Sequence, residues 1–372
     1  MHLFVILTSF CNLKCWYCYG KCCKDIGSSF DFEVDYSIPD EISYSIDLLK
    51  SFCSKAKVGN LIFYGGEPLL RLDKMFEIMD NVDAERFMVQ TNGLLLDGIE
   101  PRYLRRLHTI LVSIDGDETL TDFYRGKGVY KRVIDNVKKI REKGFKGEVI
   151  ARMTVSQQTD IESSVKHLLL ECGNIFDSVH WQLDAQFWRS DYDPEAYSRW
   201  IEESYEPGLL RLIHLWADQI AAGRVLRIYP FLGVMETLLQ GGEAGLRWGS
   251  GWAQYTIQTD GTIVPCPSMV GFKAYYLGNI RDTDPSALPT TVKLNPPCST
   301  CDILSICGGR CLYANITKLW GEEGFKLVCS TVKLLIDGLK CVKPLVEKAL
   351  ADGVIGLEDL AYTKFNSCEI IP

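Results

Sequence analysis

The 372-residue chain has no run of eighteen or more apolar residues, which excludes a membrane-spanning helix. It has no excess of basic residues: the formal net charge is −8, so no basic stripe is available to track nucleic-acid phosphates. Its N-terminus, "MHLFVILTSF", lacks the basic n-region of a secretory leader and reads as a core strand, which places the chain in the cytoplasm. Internal repeats and low-complexity tracts are also missing, which excludes solenoids and disordered scaffolds. The basic run "KRVIDNVKKIREKG" has the pattern of a solvated helix face.

Cysteine, by contrast, is abundant. There are fifteen, five between Cys11 and Cys23 and six between Cys266 and Cys329; Cys53, Cys172, Cys341 and Cys368 stand apart. In a long chain with an apolar fraction of 47% and no leader, such clusters point to metal or redox chemistry and not to a disulfide framework. Cys53 and Cys172 fall on apolar helix stripes and are expected to be buried small hydrophobes. Cys22 and Cys23 are open between bystanders, zinc ligands and a hydrogen-atom donor pair, and Cys341 and Cys368 between hydrogen-atom donors and inert thiols.

From residue 1 to about 190, β-rich runs alternate with helical patterns. The runs are "LFVILT", "NLIFYGG", "RFMVQTNG", "TILVSIDG", "EVIARMTV" and "SVHWQLDAQF". This alternation predicts about six β/α units with a parallel sheet, whose ligand site lies at the carboxyl ends of the strands. The polar and glycine-rich turns fall at those ends. Residues 191–247 read as a helical connector, broken at Pro207-Gly208. "YTIQTDGTIVPC" then predicts a hairpin around Asp260-Gly261, a cysteine-dense loop region follows, and a long helix resumes from Phe325.

Cys11, Cys15 and Cys18 follow the first strand as C-x3-C-x2-C. Taken alone, their spacing with Cys22 does not exclude a tetrahedral zinc site. Tyr17 precedes the third cysteine, and Gly65-Gly66-Glu67-Pro68 ends the second strand. With these, the chain resembles the radical S-adenosylmethionine (SAM) superfamily. The resemblance implies that the three cysteines hold three irons of a [4Fe–4S] cluster while the amine and carboxylate of SAM chelate the fourth. Reductive cleavage of SAM then gives a 5′-deoxyadenosyl radical. It further implies SAM contacts from Gly65 and Gly66, from Glu67 to the methionyl ammonium, and from Asn92, Ser113 and Asp115 at the strand ends. Arg125 is expected to meet the SAM carboxylate, with Arg152 as a weaker candidate.

Cys298, Cys301, Cys307 and Cys311 spell C-x2-C-x5-C-x3-C, followed by Cys329 and preceded by Gly261 and Cys266 as G-x4-C. This pattern resembles the SPASM extension of radical SAM enzymes, which carries auxiliary iron–sulfur clusters. It implies one [4Fe–4S] cluster on Cys298, Cys301, Cys307 and Cys329, with Cys266 and Cys311 belonging to a second. The pattern wants a further cysteine where Trp248 stands, so the second auxiliary cluster is left open between absent, smaller and differently ligated. In the related sulfatase-maturating enzymes an aspartate after the Cys266 position serves as base; Pro267 stands there and has no proton acceptor.

The expected architecture is a partial (β/α)6 barrel over 1–190, the connector, and a SPASM-like module over 248–372. The expected function is radical modification of a peptide or protein side chain: crosslink, epimerisation or oxidation. It requires a low-potential electron donor. No recognition domain is expected ahead of the first strand, so a separate recognition partner or the barrel itself is expected to select the peptide. The alternatives are radical SAM chemistry on a small molecule such as a tetrapyrrole, and a non-catalytic metal-binding protein.

Overall fold

The computed structural model describes residues 1–18, 33–185 and 192–372. Cys22 and Cys23 lie outside the described residues. All six anticipated strands are present: β1 His2–Thr8, β2 Asn60–Gly65, β3 Arg86–Thr91, β4 Leu107–Ser113, β5 Glu148–Val155 and β6 Ser178–Leu183. They pair in parallel and in chain order. Between them lie α1 Ile46–Ala56, α2 Leu72–Asn81, α3 Pro101–Leu104, α4 Glu118–Arg125, α5 Val129–Glu142 and α6 Ile161–Lys166.

The alternation along the strands explains the layers. On β1, Leu3, Val5 and Leu7 face the helices and join the main core, while Phe4 faces the other way. Phe4, Ile62 and Met88 pack on that second face against Leu246, Trp248, Cys266, Met269 and Leu312 from later in the chain. Cys53 is fully buried on α1, as its stripe predicts, whereas Cys172, after α6, is only half-buried.

The C-terminal part does not form a separate sheet. Strands β7 Gln254–Ile257 and β8 Thr262–Val264 form the anticipated hairpin, and β9 Gly278–Asn279 extends it. Strand β7 pairs in parallel with β1, so the hairpin continues the barrel sheet: the nine strands run β6-β5-β4-β3-β2-β1-β7-β8-β9.

The expected break at Pro207-Gly208 is not there. The chain is helical from Pro194 to Ala221: α7 Pro194–Trp200, one π-turn over Ile201–Tyr205, and α8 Glu206–Ala221. Pro207 sits in the first turn of α8, and the widened π-turn before it absorbs the missing N–H. Helix α9 Tyr229–Gln240 follows, then α10 Leu304–Cys307, α11 Leu312–Thr317 and α12 Gly321–Ala351. Among the described residues no helix is long and apolar enough to cross a membrane.

Candidate active site

The first three cysteines sit on the loop that leaves β1. Cys11 is exposed, and Cys15 and Cys18 are half-buried. The loop is held by Cys18 N donating to Cys15 O at 3.1 Å and Trp16 N donating to Tyr124 O at 2.9 Å. Two groups point N–H bonds at Cys11 Sγ: Leu13 N at 3.4 Å and Asn92 Nδ2 at 3.8 Å. Burial above all pushes the Cys15 thiol up to about 11, with Cys18 and Cys11 contributing to the rise, so the three sulfurs share one neighbourhood. Arg125 opposes that rise. Among the described residues no three His, Cys, Asp or Glu side chains converge tightly enough for a single ion. Three thiols in one neighbourhood suit a polynuclear group, whose donors sit on separate irons.

The glycine pair serves close approach of two backbones. A Cβ on Gly65 would fall inside 3.0 Å of Thr8 O, and one on Gly66 inside 3.0 Å of both Ser9 O and Phe10 O. Gly65 also has φ +148°. Gly66 N donates to Thr8 O and Glu67 N to Phe10 O, both at 2.8 Å, which staples the cysteine loop to the end of β2.

Glu67 follows the glycine pair at the end of β2. It is fully buried and turned into the protein, where it accepts from Leu69 N (2.9 Å), Thr91 Oγ1 (2.7 Å) and Asn92 N (2.7 Å). Burial pushes its carboxyl up to about 7 against these donors. It organises the β2 and β3 loops together. Pro68 opens the short 3-10 turn Pro68–Arg71 behind it. Asn92 is better placed: its side chain reaches both Cys11 and Asn12 Oδ1, the latter at 2.6 Å.

Asp115 and Arg125 also turn on each other. Arg125 Nε and Nη2 fork onto Asp115 at 2.7 and 2.8 Å, and both side chains are buried. Asp115 further accepts from the Tyr17 hydroxyl and from Thr154 N at 3.0 Å. The Arg125 guanidinium lies 5.5 Å from the Tyr17 ring centre. This ion pair anchors the cysteine loop through Tyr17. Ser113 stands half-buried at the end of β4.

The second cysteine group is assembled from three elements. Cys298 and Cys301 flank a single turn, Cys307 ends α10, and Cys329 lies on α12; all are half-buried. Asn315 Nδ2 donates to Cys298 Sγ at 2.9 Å. Cys307 is raised to about 11 by burial first, then by Cys298 and Cys329, and Cys329 likewise feels Cys298 and Cys301. The four thiols therefore share one neighbourhood. Cys266 is buried, and Cys311 lies beside it at the start of α11.

Residues 5–168 match the model of the Radical SAM superfamily. The matched residues are a radical SAM domain. Over 359 residues the chain is 21% identical to a cysteine-type anaerobic sulfatase-maturating enzyme of Clostridium perfringens, covering 88% of this chain and 92% of that one. Its fold matches the structure of native anSMEcpe with bound AdoMet and Cp18Cys peptide: TM-score 0.68, 20% identity, 94% of this chain and 99% of the other. It also matches Streptococcus suis SuiB bound to precursor peptide SuiA, with TM-score 0.56, 18% identity and coverage of 85% and 72%.

Sequence patterns missed the C-terminal tail of this chain. Residues 364–372 cross the inner face of the sheet. Asn60 Nδ2 donates to Lys364 O and Phe365 O, and Ser367 Oγ donates to Gln90 Oε1. His180 Nε2 meets Glu369 O, and Gln182 Nε2 donates to Glu369 Oε2. Asn366 through Ile371 are buried, Cys368 among them, whereas Cys341 is exposed on α12. One signal was available: Asn60, Gln90, Arg152, His180 and Gln182 are polar residues inside strands, and buried polar groups need partners.

Proposed function

We propose that this chain is a radical SAM enzyme that modifies a side chain of a peptide or protein substrate, as a crosslink, epimerisation or oxidation. The observation that carries this reading is the near full-length likeness, in sequence and fold, to an enzyme whose structure holds AdoMet and a peptide. Cys11, Cys15 and Cys18 would hold the SAM-binding [4Fe–4S] cluster, and Cys298, Cys301, Cys307 and Cys329 an auxiliary one. When bound, SAM and its cluster supply a hydrogen-abstracting radical. The chain's own residues position that chemistry: the Gly65-Gly66 staple and the Tyr17–Asp115–Arg125 anchor fix the cysteine loop, and Asn92 orients Cys11. Exposed Phe10 and Trp16 give the loop an apolar rim.

Pro267, buried at the start of a short turn after Cys266, offers no proton acceptor. This disfavours the serine or cysteine oxidation that needs a base there and favours crosslinking or epimerisation. We place residues 1–190 as the barrel, 191–247 as the connector and 248–372 as the auxiliary module, in a cytoplasmic enzyme served by a low-potential electron donor, its peptide selected by a separate recognition partner or by the barrel itself. The test is intact-mass analysis of peptides encoded beside this protein, incubated anaerobically with enzyme, SAM and reductant in deuterated water. Modification is expected as a changed mass or deuterium uptake. Formation of 5′-deoxyadenosine with every peptide unchanged would refute the peptide reading.

A further inference from the structure

The surface beside the cysteine loop carries two features that SAM cleavage leaves unused. The first is aromatic. Phe123 on α4 is 62% exposed. Its ring meets Tyr124 edge-on at 5.0 Å, and the Tyr124 ring lies 5.2 Å from Tyr17 and 6.0 Å from Trp16. Trp16 and Tyr17 are the two residues between Cys15 and Cys18. Trp16 N also donates to Tyr124 O at 2.9 Å, so backbone and rings alike couple α4 to the loop. Packed aromatic rings thus run from the surface to the segment between the second and third cysteines.

The second feature is charge. From Lys127 to Lys146 stand eight lysines and arginines against two carboxylates, Asp135 and Glu142, in a chain of net charge −8. The run begins at the corner where α4 ends. Asp122 accepts from Gly128 N at 2.5 Å and from Tyr130 N at 2.9 Å, which ties that end to the start of α5. Lys131 and Arg132 lie at the N-terminal end of α5 and, with Lys139, Asp97 and Asp135, line a concavity of about 260 Å³. That end of a helix favours carboxylates and disfavours cations. Helix α5 has no acidic residue in its first turn. Lys127, Lys131 and Arg132 are exposed and have no ion-pair partner among the described residues. Helix stability does not account for cations in these places.

We propose that this corner, Phe123 with Lys127, Lys131 and Arg132, docks an acidic one-electron donor protein and is where electrons enter. Electron-transfer encounters are small and transient, which one exposed ring and a few cations suit. The cations set the sign of the partner, since complementary charge steers encounter. The aromatic path sets its role, since that path ends at the cysteine loop. A peptide substrate has no use for it. One electron leaves the donor for the cluster held by Cys11, Cys15 and Cys18; no bond forms or breaks between the two proteins. The proposal rests on reading those three cysteines as the ligands of the SAM-binding cluster.

The test uses flavodoxin, an acidic flavoprotein, as the probe. Its Kd for the anaerobically reconstituted full chain is measured by titration calorimetry at low and at physiological salt. Formation of 5′-deoxyadenosine is measured beside it, driven either by reduced flavodoxin or by dithionite. Lys127→Glu/Lys131→Glu/Arg132→Glu is expected to weaken flavodoxin binding at least about 10-fold at low salt and to flatten its salt dependence. Phe123→Ser is expected to weaken it at both salt concentrations. Both variants should keep the wild-type rate with dithionite. Carboxylates at the head of α5 favour the helix, so unfolding is not the source of the loss. Lys326→Glu/Lys340→Glu/Lys343→Glu on α12 changes the net charge equally and is expected to bind as wild type. Flavodoxin that does not bind wild type, binds the first triple variant as tightly, or is lost equally from the α12 control would overturn the proposal. A fall in the dithionite-driven rate of the first triple variant would overturn it too, because those residues would then act on the site and not on the donor. If wild type makes no 5′-deoxyadenosine with dithionite, the SAM-cluster reading fails and not only this surface.

Discussion

Replacing Gly66 by alanine tests whether the backbone staple positions the cysteine loop. The new Cβ would meet Ser9 O and Phe10 O about half an ångström inside 3.0 Å, the closest approach that real Cβ atoms make. Both neighbours are backbone atoms, so no side chain can rotate away. The end of β1 must move, and Cys11 is the next residue. Overpacking of this kind costs about 1–3 kcal/mol, which a chain of this size tolerates without unfolding. The damage falls on geometry. A misplacement near 1 Å at a reacting centre can lower a rate about 10²-fold. The assay is 5′-deoxyadenosine release from SAM by reconstituted protein under reducing conditions, beside iron per chain. Gly128→Ala is the control: its φ is +80°, so alanine is strained there, but nothing lies within 4 Å. We expect Gly66→Ala to lose about 10²-fold in SAM cleavage and Gly128→Ala to lose only stability. Equal cleavage rates in both variants would refute the staple.

Two further outcomes follow from buried charge. Arg125→Met leaves the buried Asp115 carboxyl without its ion partner, with the Tyr17 hydroxyl and Thr154 N as its remaining donors among the described residues; removing one partner of a buried pair costs about 3–5 kcal/mol. Denaturant titration should show Arg125→Met losing more than Tyr17→Phe, which removes one charged hydrogen bond of about 1.5–3 kcal/mol; the reverse order would contradict the anchor. His2 is held neutral, its pKa lowered to about 4 by burial, and its Nδ1 accepts from Asn60 N at 3.1 Å. Its stabilisation is therefore present above pH ~6.5 and lost as the pH falls toward 4. Melting temperature measured across that range should fall more steeply for wild type than for His2→Gln.

Much of this was legible in the sequence because periodicity reports burial directly. Leu3, Val5 and Leu7 alternate with Phe4, and both layers could be anticipated from that spacing. The cysteine groups were legible because thiol spacing is a strong pattern. Direction was not. Nothing in "GGEP" tells whether Glu67 points at a ligand or caps the N–H groups of Leu69 and Asn92. "SIDG" and Arg125 lie ten residues apart, and only the turn into α4 brings them into one ion pair. Pro207 looked like a break because helix rules treat proline locally, whereas the π-turn ahead of it is set by packing. The tail was invisible for a related reason: Asn366, Ser367 and Glu369 acquire meaning only opposite Gln90, His180 and Gln182.

The pairing of β7 with β1 has a consequence for protein quality control. Without β7, the ladder groups along His2–Val5 would form an open parallel edge, apolar on both faces. Such an edge is a template for intermolecular strand addition. A chain cut before Gln254 would then present its stickiest strand at the base of its reactive loop. The hairpin acts as a built-in guard, and we expect barrel-only fragments to collect in inclusion bodies while the full chain stays dispersed.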